Sequence, residues 1–437
     1  MKKIGTVSLI VMLSCILALA LGVSSSEAET KEVKIGSCHP FTGPRALPGN
    51  EAHTGTVIAA DMQNDRGGIL GGRKIVLIKG DAKDPEAAAS EAERLISTQG
   101  VKILMGTYSS SCAAPAHQVA ARHGVIYFEN IATADGLTQR GNEYLLRFSS
   151  KGSQIGEMIA EFTLDHIAPM YNKKPNELKM VVLRVNTAWG TAIGGTAVKK
   201  SKEVGIDVIG DFPYDFSAID FKSILLKVRR LNPDILVLNS YVTDGIKLIK
   251  GARDLGLTPK VVMGSGVWAS LVKTGEIVGD DVNYIYDIEA SYGVNPTYMS
   301  AEAKRITAEF ERRYRKKFGV DVPSNAYLGF WSAWTAFHHI LTKTDKLDTK
   351  LIRKIAGELD IPDTETNTGM GVKFAPIGHP DAGHNLRSLS IVRQRFNNKF
   401  YTVYPKKFAI MKAQIAPEWG KRAVSEDKIG QWIKEGP

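Results

Sequence analysis

Short apolar runs alternate with amphipathic segments along the first third of this chain. The apolar runs, which predict strands, lie at residues 33–37, 74–79, 101–105 and 125–128. The segments between them, which predict helices, lie at residues 51–66, 85–98 and 113–123. Strands that are apolar on both faces are typical of a parallel sheet covered by helices. The pattern therefore predicts a β-α-β-α layer.

The same alternation restarts in the middle of the chain. Strands are predicted at residues 179–184, 207–211, 234–238, 261–263 and 283–288, and helices at 191–204, 221–231 and 245–255. Two similar successions in one chain indicate an α/β fold with two lobes of related topology. Helical spacing returns at residues 300–317 and 327–341. Segments 388–396 and 400–404 flank Asn397-Asn398-Lys399, which predicts a β-hairpin.

The first 28 residues have the pattern of a secretory signal. Lys2 and Lys3 precede the apolar run 4–23, and Ser26 and Ala28 are small residues at the −3 and −1 positions of a cleavage site after Ala28. An uncleaved anchor is the alternative, because the apolar run is long for a signal. We expect an exported, periplasmic protein. No second apolar run approaches the ~20 residues needed to span a bilayer, so we expect the mature chain to be soluble.

Composition narrows the function classes. The 437 residues include 56 basic and 46 acidic ones, a net charge of +10. This modest excess comes with no basic stripe interleaved with aromatic residues, so we expect no nucleic-acid partner. No Cys or His spacing matches a closed zinc site, and we expect neither a metal nor a cofactor. The two cysteines outside the signal, Cys38 and Cys112, are an even pair, which an oxidising compartment permits to form a disulfide.

Polar residues follow two predicted strands of the first layer. In an open parallel sheet, ligands gather at the carboxyl ends of the strands. The residues at these ends are Tyr108, Ser109, Ser110 and Ser111 in one loop and Ile131, Ala132 and Thr133 in the next. The first loop precedes a predicted helix, whose first-turn N–H groups favour an anion. Ordinary helix capping would explain one serine but not three, so the two loops predict a carboxylate site.

Aromatic residues stand at the corresponding positions of the second layer. Trp189, Tyr241 and Trp268 each follow a predicted strand. One exposed ring on a loop usually serves local packing. Three rings at corresponding edges predict a wall against the apolar body of a ligand.

Two other chemistries have weaker support. Residues 264–269 imitate the dinucleotide pattern G-x-G-x-x-A, but Trp268 would crowd a pyrophosphate and an exported protein has no ready nicotinamide supply. A secreted hydrolase with Ser110 as its nucleophile is an alternative of another class, although the chain has no G-x-S-x-G elbow.

Several short motifs follow one another along essentially the whole mature chain. They are Ile35-Gly36, Pro40 to Pro44, Gly67 to Lys74, Asp81, the 106–111 loop, Leu137 to Gly141, Arg147, the strand before Tyr241, Gly371 to Phe374 and the final hairpin. Their order and spacing resemble those of the periplasmic solute-binding proteins of branched-chain amino acid ABC importers, of the leucine/isoleucine/valine-binding type. The resemblance implies the type I periplasmic binding protein fold, with two Rossmann-like (flavodoxin-like) lobes joined by three crossover strands and no catalysis.

By position, the resemblance implies the division of the chain. Lobe I would comprise residues 29–148 and 291–388, and lobe II residues 149–290 and 389–437. It implies a monomer that closes on a small solute bearing a carboxylate, such as a branched-chain or other amino acid. The membrane permease of the importer would then receive the solute.

The resemblance also implies roles for single residues. Ser110 and Thr133 match residues that bind the α-carboxylate of the ligand. Ile131 matches a position whose backbone carbonyl faces the α-amino group, Tyr241 a tyrosine of lobe II near the same group, and Trp189 an aromatic residue that covers the ligand side chain. Tyr108, Ser111, Ala132, Asp244 and Gly266 complete the predicted site.

Gly266 departs from the pattern of the leucine-binding members, which carry a glutamate for the ammonium at this position. A buried ammonium without its counter-charge costs on the order of 3–5 kcal/mol. Either Asp244, Asp287, Glu289 or Glu129 replaces the glutamate, or the ligand has no amine. Aromatic or short-chain carboxylates and amides therefore stay open beside amino acids.

The expected strand order also concerns the cysteines. Cys38 ends the first strand and Cys112 follows the third, and these strands are neighbours in a flavodoxin-like order. We expect the two cysteines to pair beside the site.

Overall fold

The computed structural model describes residues 32–290 and 292–437. The predicted signal segment and its cleavage site lie outside these residues. Within the described part of the chain, no helix is long and apolar enough to cross a membrane.

Five parallel strands form the first sheet. They are β1 (Glu32–His39), β2 (Lys74–Asp81), β3 (Ile103–Gly106), β4 (Ile126–Glu129) and β5 (Leu145–Arg147). Their order is β2-β1-β3-β4-β5. The connecting helices are α1 (Ala46–Asp65), α2 (Pro85–Ser97) and α3 (Ser110–Arg122). The predicted β-α-β-α layer is confirmed, although α1 begins earlier than predicted because its Pro48 is tolerated in a first helical turn.

Seven strands form the second sheet. They are β6 (Lys179–Val185), β7 (Asp207–Tyr214), β8 (Ile235–Asn239), β9 (Val261–Ser265), β10 (Tyr286–Ala290), β11 (Ser390–Phe396) and β12 (Lys399–Tyr404). Their order is β12-β11-β10-β9-β8-β6-β7, and β11 is antiparallel to both of its neighbours. The predicted hairpin is confirmed, with φ of +47° at Asn397 and +63° at Asn398. Asparagine adopts this left-handed region readily, which suits a two-residue hairpin turn.

Helices cover the second sheet as well. They are α4 (Gly152–Phe162), α5 (Thr196–Glu203), α6 (Lys222–Leu231), α7 (Val242–Asp254) and α8 (Val272–Val278). One-turn helices lie at Ala168–Met170 and Ala188–Gly190, and π-helical segments at Thr163–Ile167, Thr191–Gly195 and Thr335–Ile340.

The chain returns to the first sheet after β10. The helices of this return are α9 (Ala301–Phe318), α10 (Ser324–Trp334) and α11 (Thr349–Gly357). Phe310 and Phe330 from these helices share one apolar core with Ile35 and Ile103 of the first sheet. The last helix, α12 (Glu426–Glu435), packs with Ile429 on the second core. The chain thus passes between the two layers three times: after β5, after β10 and before β11.

Helices α1 and α10 pack against each other without room for a side chain between them. A Cβ at Gly55 would lie 2.0 Å from the carbonyl oxygen of Ala326, and a Cβ at Gly329 would lie 2.1 Å from that of Ala52. Glycine allows this close approach of the two backbones. The contact fixes α10 on the first layer, at the end where the polar loops lie.

Candidate functional site

A cavity lies where the carboxyl ends of the two sheets face each other. Its empty volume, counted together with the space that is open to solvent, is about 450 Å³. The lining residues of the first layer are Tyr108, Ser109, Ser110, Ile131, Thr133, Asn325 and Leu328, and those of the second layer are Trp189, Tyr241, Gly266 and Glu289. Strand-end positions of both sheets therefore meet in one place.

Two side chains on the first wall have a hydroxyl group that can donate a hydrogen bond to a ligand. The Oγ of Ser110 accepts a hydrogen bond from the backbone N–H of Ala134 at 3.1 Å, which leaves the O–H of Ser110 to donate elsewhere. The Oγ1 of Thr133 is buried and has no hydrogen-bond partner among the described residues. Ser110 also begins the 13-residue helix α3. Hydroxyl donors beside a helix N-terminus suit a carboxylate.

The buried carboxylate of Glu129 holds the two polar loops together. Its Oε2 accepts hydrogen bonds from the backbone N and the Oγ1 of Thr107 at 2.8 and 3.2 Å, and from the Nε2 of His117 at 2.9 Å. Its Oε1 accepts from the backbone N–H groups of Ile131 and Ala132 at 3.1 and 2.9 Å. The loops are therefore fixed by the protein itself, before any ligand arrives.

The second wall consists of stacked rings. Trp189 and Tyr241 stack with their ring centroids 4.9 Å apart and their planes 24° apart. Phe216 packs edge-on against Tyr241 at 5.2 Å. The turn that carries Trp189 is capped by the Oγ1 of Thr187, which accepts from the N–H of Gly190 at 3.2 Å. Offset rings of this kind offer a flat apolar surface.

Arg45 joins the two layers at the edge of the cavity. It precedes α1 in the first layer, and its guanidinium carbon lies 4.6 Å from the ring centre of Phe216 and 5.1 Å from that of Tyr241. Arg45 is only 9% exposed, and its Nε has no hydrogen-bond partner among the described residues. The aromatic faces therefore supply much of its environment.

Gly266 is a position that only glycine fits. Its φ is +107°, and a Cβ there would lie 2.1 Å from the carbonyl oxygen of Ser240. Its backbone N–H donates to Oε1 of Glu289 on β10. Glu289 lines the cavity, so a carboxylate reaches the site from the strand next to Gly266.

The other three acids considered for the ammonium do not line the cavity. Glu129 is occupied by its five donors. Asp287 forms a buried ion pair with Arg393 inside the second layer. Asp244, expected at the site, accepts a hydrogen bond from the hydroxyl of Tyr214 instead. Burial raises the pKa of both Asp287 and Asp244, which fits acids enclosed in the protein.

Three further residues with predicted roles lie off the cavity wall. Ser111 shares a hydrogen bond of 2.9 Å with Ser109. Ala132 contributes its N–H to Glu129 and no lining atom. Trp268 is fully buried and donates from Nε1 to the carbonyl of Leu238 at 3.2 Å, so it belongs to the core of the second layer.

Two lining residues escaped the sequence reasoning. Asn325 and Leu328 are three residues apart on α10 and therefore share a helix face. They stand in the part of the chain that returns to the first sheet late. The rule that ligands gather at strand ends points only to the loops that follow strands. It cannot predict a helix face that lies far from those loops in sequence.

The expected disulfide is absent, and this expectation is corrected. Cys38 and Cys112 are both free and buried. They lie in the apolar cluster beneath α2 and α3, where burial raises the pKa of both thiols, that of Cys38 to about 12. Exchange reactions need a thiolate, which this environment disfavours.

Comparisons with known proteins identify the family of this chain. Residues 32–392 match the model of a family described as periplasmic binding protein. Leu/Ile/Val-binding protein homolog 8 of Brucella suis biovar 1 (strain 1330) is 32% identical over 401 residues, which are 91% of this chain and 97% of that protein. Homolog 7 of the same strain is also 32% identical over 401 residues, 91% of this chain and 98% of that protein.

Solved structures share the fold. The branched-chain amino acid transporter substrate-binding protein LivJ from Streptococcus pneumoniae, in complex with isoleucine, has a TM-score of 0.70 at 23% identity and covers 86% of this chain and 100% of its own. An ABC transporter solute-binding protein from R. palustris, in complex with benzoate, has a TM-score of 0.68 at 17% identity and covers 85% of this chain and 95% of its own. The expected type I periplasmic binding protein fold is confirmed.

Proposed function

The chain belongs to the periplasmic binding protein family, and from that premise we propose that it is the periplasmic receptor of an ABC importer. Its ligand is an α-amino acid with an apolar side chain, held in the cavity between the two layers. Members of this family bind solutes and are not enzymes, which sets aside a hydrolase built on Ser110.

One observation carries the proposal: hydroxyl donors and a carboxylate face the same cavity from opposite layers. Ser110 and Thr133 offer O–H groups on the first wall. Glu289 offers carboxylate oxygens on the second wall. An α-amino acid carries a carboxylate and an ammonium on one carbon atom, so it complements both walls at once.

The position of Glu289 supports it as the acid that replaces the glutamate missing at Gly266. The Gly266 N–H donates to Glu289, and this bond holds the carboxylate at the cavity. A micromolar complex has about 8 kcal/mol of binding free energy in total, whereas a buried ammonium without a counter-charge costs on the order of 3–5 kcal/mol. We therefore assign the ammonium to Glu289, with the carbonyl of Ile131 as the further contact that the family resemblance implies.

The remaining lining residues suit an apolar side chain. Trp189, Leu328 and Ile131 offer aromatic and aliphatic surface around the polar groups. Burial of apolar surface contributes about 25 cal/mol per Å². A branched aliphatic or aromatic amino acid would therefore gain affinity that a small polar one would not.

Binding between two layers implies closure by population shift. We propose that residues 29–148 with 291–388 move as one lobe and residues 149–290 with 389–437 as the other. A ligand that contacts both walls binds the closed state better than the open one and so raises its population. The permease of the importer would then recognise the closed form.

A carboxylate without an amine is the second candidate. The stacked pair Trp189 and Tyr241 favours it, because a flat ring can lie against another ring. The R. palustris protein of the same fold holds benzoate. The two candidates differ in whether Glu289 meets a positive charge.

Calorimetry distinguishes the candidates. The ligands are L-leucine, L-isoleucine and L-phenylalanine, each beside its amine-free analogue, together with benzoate. We expect at least one amino acid to bind more tightly than its analogue. Binding of benzoate or of the amine-free analogues alone would select the second candidate.

Ser110→Ala tests the carboxylate half of the site. A hydrogen bond to a charged group is worth about 1.5–3 kcal/mol, so we expect affinity to fall about 10- to 100-fold for amino acids and analogues alike. Ser97→Ala, on an exposed helix end far from the cavity, is the control. Unchanged affinity in Ser110→Ala would remove the carboxylate assignment.

Importer function needs a test in cells. A strain without this chain should lose high-affinity uptake of the ligand found by calorimetry, and re-expression should restore it. Normal uptake in the deletion strain would contradict the transport role while leaving the binding assignment intact.

A further inference from the structure

Two polar side chains meet where helices α1 and α10 pack against each other. Glu51 lies on α1 and Asn325 on α10. Gly55 and Gly329 bring the two backbones together nearby, as described above. The Nδ2 of Asn325 donates a hydrogen bond of 2.7 Å to Oε2 of Glu51. No motif in the sequence singled out either residue.

The hydrogen bond fixes which end of the Asn325 amide faces Glu51. Asn325 is 3% exposed and lines the cavity, whereas Glu51 does not line it. An ionised carboxylate can only accept hydrogen bonds, so it selects the NH₂ end of the amide. The amide is planar, and its Oδ1 therefore points away from Glu51. Among the described residues, none donates a hydrogen bond to this oxygen.

We propose that Oδ1 of Asn325 accepts a hydrogen bond from the ammonium of the bound amino acid, and that Glu51 is the positioning residue that keeps this oxygen turned to the cavity. This inference rests on the proposed function and extends it. The ammonium would contact Glu289 from the second layer and Asn325 from the first. The amine would then contact both layers, whereas the carboxylate would contact the first wall alone.

The protonation of Glu51 should make the binding of an amino acid depend on pH. Burial raises the pKa of Glu51 to about 7, and the hydrogen bond from Asn325 opposes the rise. Above this pKa the carboxylate accepts from Nδ2 of Asn325. Below it, the protonated acid can donate to Oδ1 instead, and the amide then turns its NH₂ end to the cavity, where it repels an ammonium.

Three titratable groups near Glu51 do not titrate in the same range as its carboxyl group. Tyr108 from the loop after β3 and Tyr314 from α9 both feel its charge, and burial raises the pKa of both. His53, two residues along α1, has its pKa lowered by burial to about 4 and hydrogen-bonds Ser37. Between pH 6 and 8 these groups keep one charge state.

The first experiment compares matched ligands. Dissociation constants of L-leucine and of its amine-free analogue 4-methylpentanoate are measured by calorimetry for the native protein, Asn325→Ala and Ser110→Ala. L-Phenylalanine and 3-phenylpropanoate form a second pair. In Asn325→Ala we expect the amino acids to bind about 10- to 100-fold more weakly, as for loss of a hydrogen bond to a charged group, and the analogues less than threefold more weakly.

The outcomes separate this inference from the proposed function. Equal weakening of amino acids and analogues in Asn325→Ala would show a packing role and overturn the inference. Unchanged affinities in Asn325→Ala would overturn it too. In both cases, weakening of all ligands in Ser110→Ala would leave the proposed function standing. A native protein that binds neither amino acid would overturn both.

The second experiment uses Glu51→Gln, whose amide oxygen can still accept from Nδ2 of Asn325. In the native protein, leucine affinity should fall as the pH drops from 8 to 6, by up to about tenfold as the competent fraction declines. Glu51→Gln should fold with a similar melting temperature and bind leucine with little dependence on pH. A native affinity that is flat over this range, or an equal slope in Glu51→Gln, would overturn the role of Glu51.

Discussion

The two walls of the cavity are held in place by different forces. On the first wall, the polar groups belong to loops that Glu129 ties together through five hydrogen bonds. On the second wall, Trp189 and Tyr241 are held by ring stacking and by the apolar core beneath them. The comparison shows a preformed anchor on one side and a cover on the other. The groups that can hydrogen-bond a ligand are therefore concentrated on the wall whose backbone is fixed.

The buried acids of the two layers also differ, in how many hydrogen-bond donors each of them holds. Both oxygens of Glu129 are occupied by donors, mostly backbone N–H groups. In the second layer, Asp287 pairs with Arg393, but Oδ1 of Asp287 and two guanidinium nitrogens of Arg393 have no hydrogen-bond partner among the described residues. A saturated carboxylate positions the chain around it, whereas this ion pair joins two side chains on strands that the backbone ladder already holds together.

The largest effect is expected from Glu129→Ala. The variant strips five donors of their acceptor in a buried place; one buried donor left unsatisfied costs about 1–3 kcal/mol, so five together cost at least about 3 kcal/mol. We expect the free energy of unfolding, measured by urea denaturation, to fall by this amount. Glu93→Ala is the matched control, because Glu93 also pairs with a histidine, at 3.0 Å, on the surface. There we expect a much smaller fall in the free energy of unfolding, because an exposed ion pair contributes little; equal losses in the two variants would contradict the anchoring role of Glu129.

The cover is tested by Trp189→Ala. We expect the free energy of unfolding to fall much less than in Glu129→Ala. The ligand should bind about 2 kcal/mol more weakly, roughly thirtyfold, mainly because it dissociates faster. Stopped-flow measurement of ligand release checks this. Trp432→Ala on α12, which packs on the second core away from the cavity, should leave the release rate unchanged. A native release rate in Trp189→Ala would mean that the rings do not cover the ligand.

The smallest effect is expected from Arg45→Met. Its guanidinium contacts rings of the opposite layer, and a cation–π contact is worth about 0.5–1 kcal/mol. We expect the ligand to leave a few times faster and the ligand-free protein to show a larger radius of gyration in X-ray scattering. Arg66→Met removes a similar contact, 5.2 Å from the ring centre of Trp334, within the first layer alone. If both variants behave alike, Arg45 does not link the layers.

The sequence predicts the site residues that directly follow a strand. Alternating strands and helices leave a periodic signal, and the strand-end rule led from that signal to Ser110, Thr133, Trp189 and Tyr241, all of which line one cavity. Glycine at position 266 was recognised as a departure, but its cause, a Cβ clash with Ser240, is visible only in space.

The sequence was uninformative where chemistry depends on distant contacts. It offered four acids for one role, and only packing separated Glu289 from Asp244, Asp287 and Glu129. Asn325 reaches the site because α10 returns to the first sheet, which no local pattern reports. The cysteine pairing failed for a related reason, since neighbouring strand ends do not determine how two thiols are oriented or how strongly burial suppresses their ionisation.

The saturation of Glu129 has a consequence for how such receptors diversify. A substitution that shifts either polar loop disturbs several hydrogen bonds at once, so the carboxylate end of the ligand is difficult to change without loss of the fold. The rings of the opposite wall are held mainly by stacking and by the apolar core, so we expect the fold to tolerate their replacement one at a time. New ligand repertoires should therefore arise from changes around Trp189 and Glu289, and a library confined to that side is the economical starting point for retargeting this scaffold.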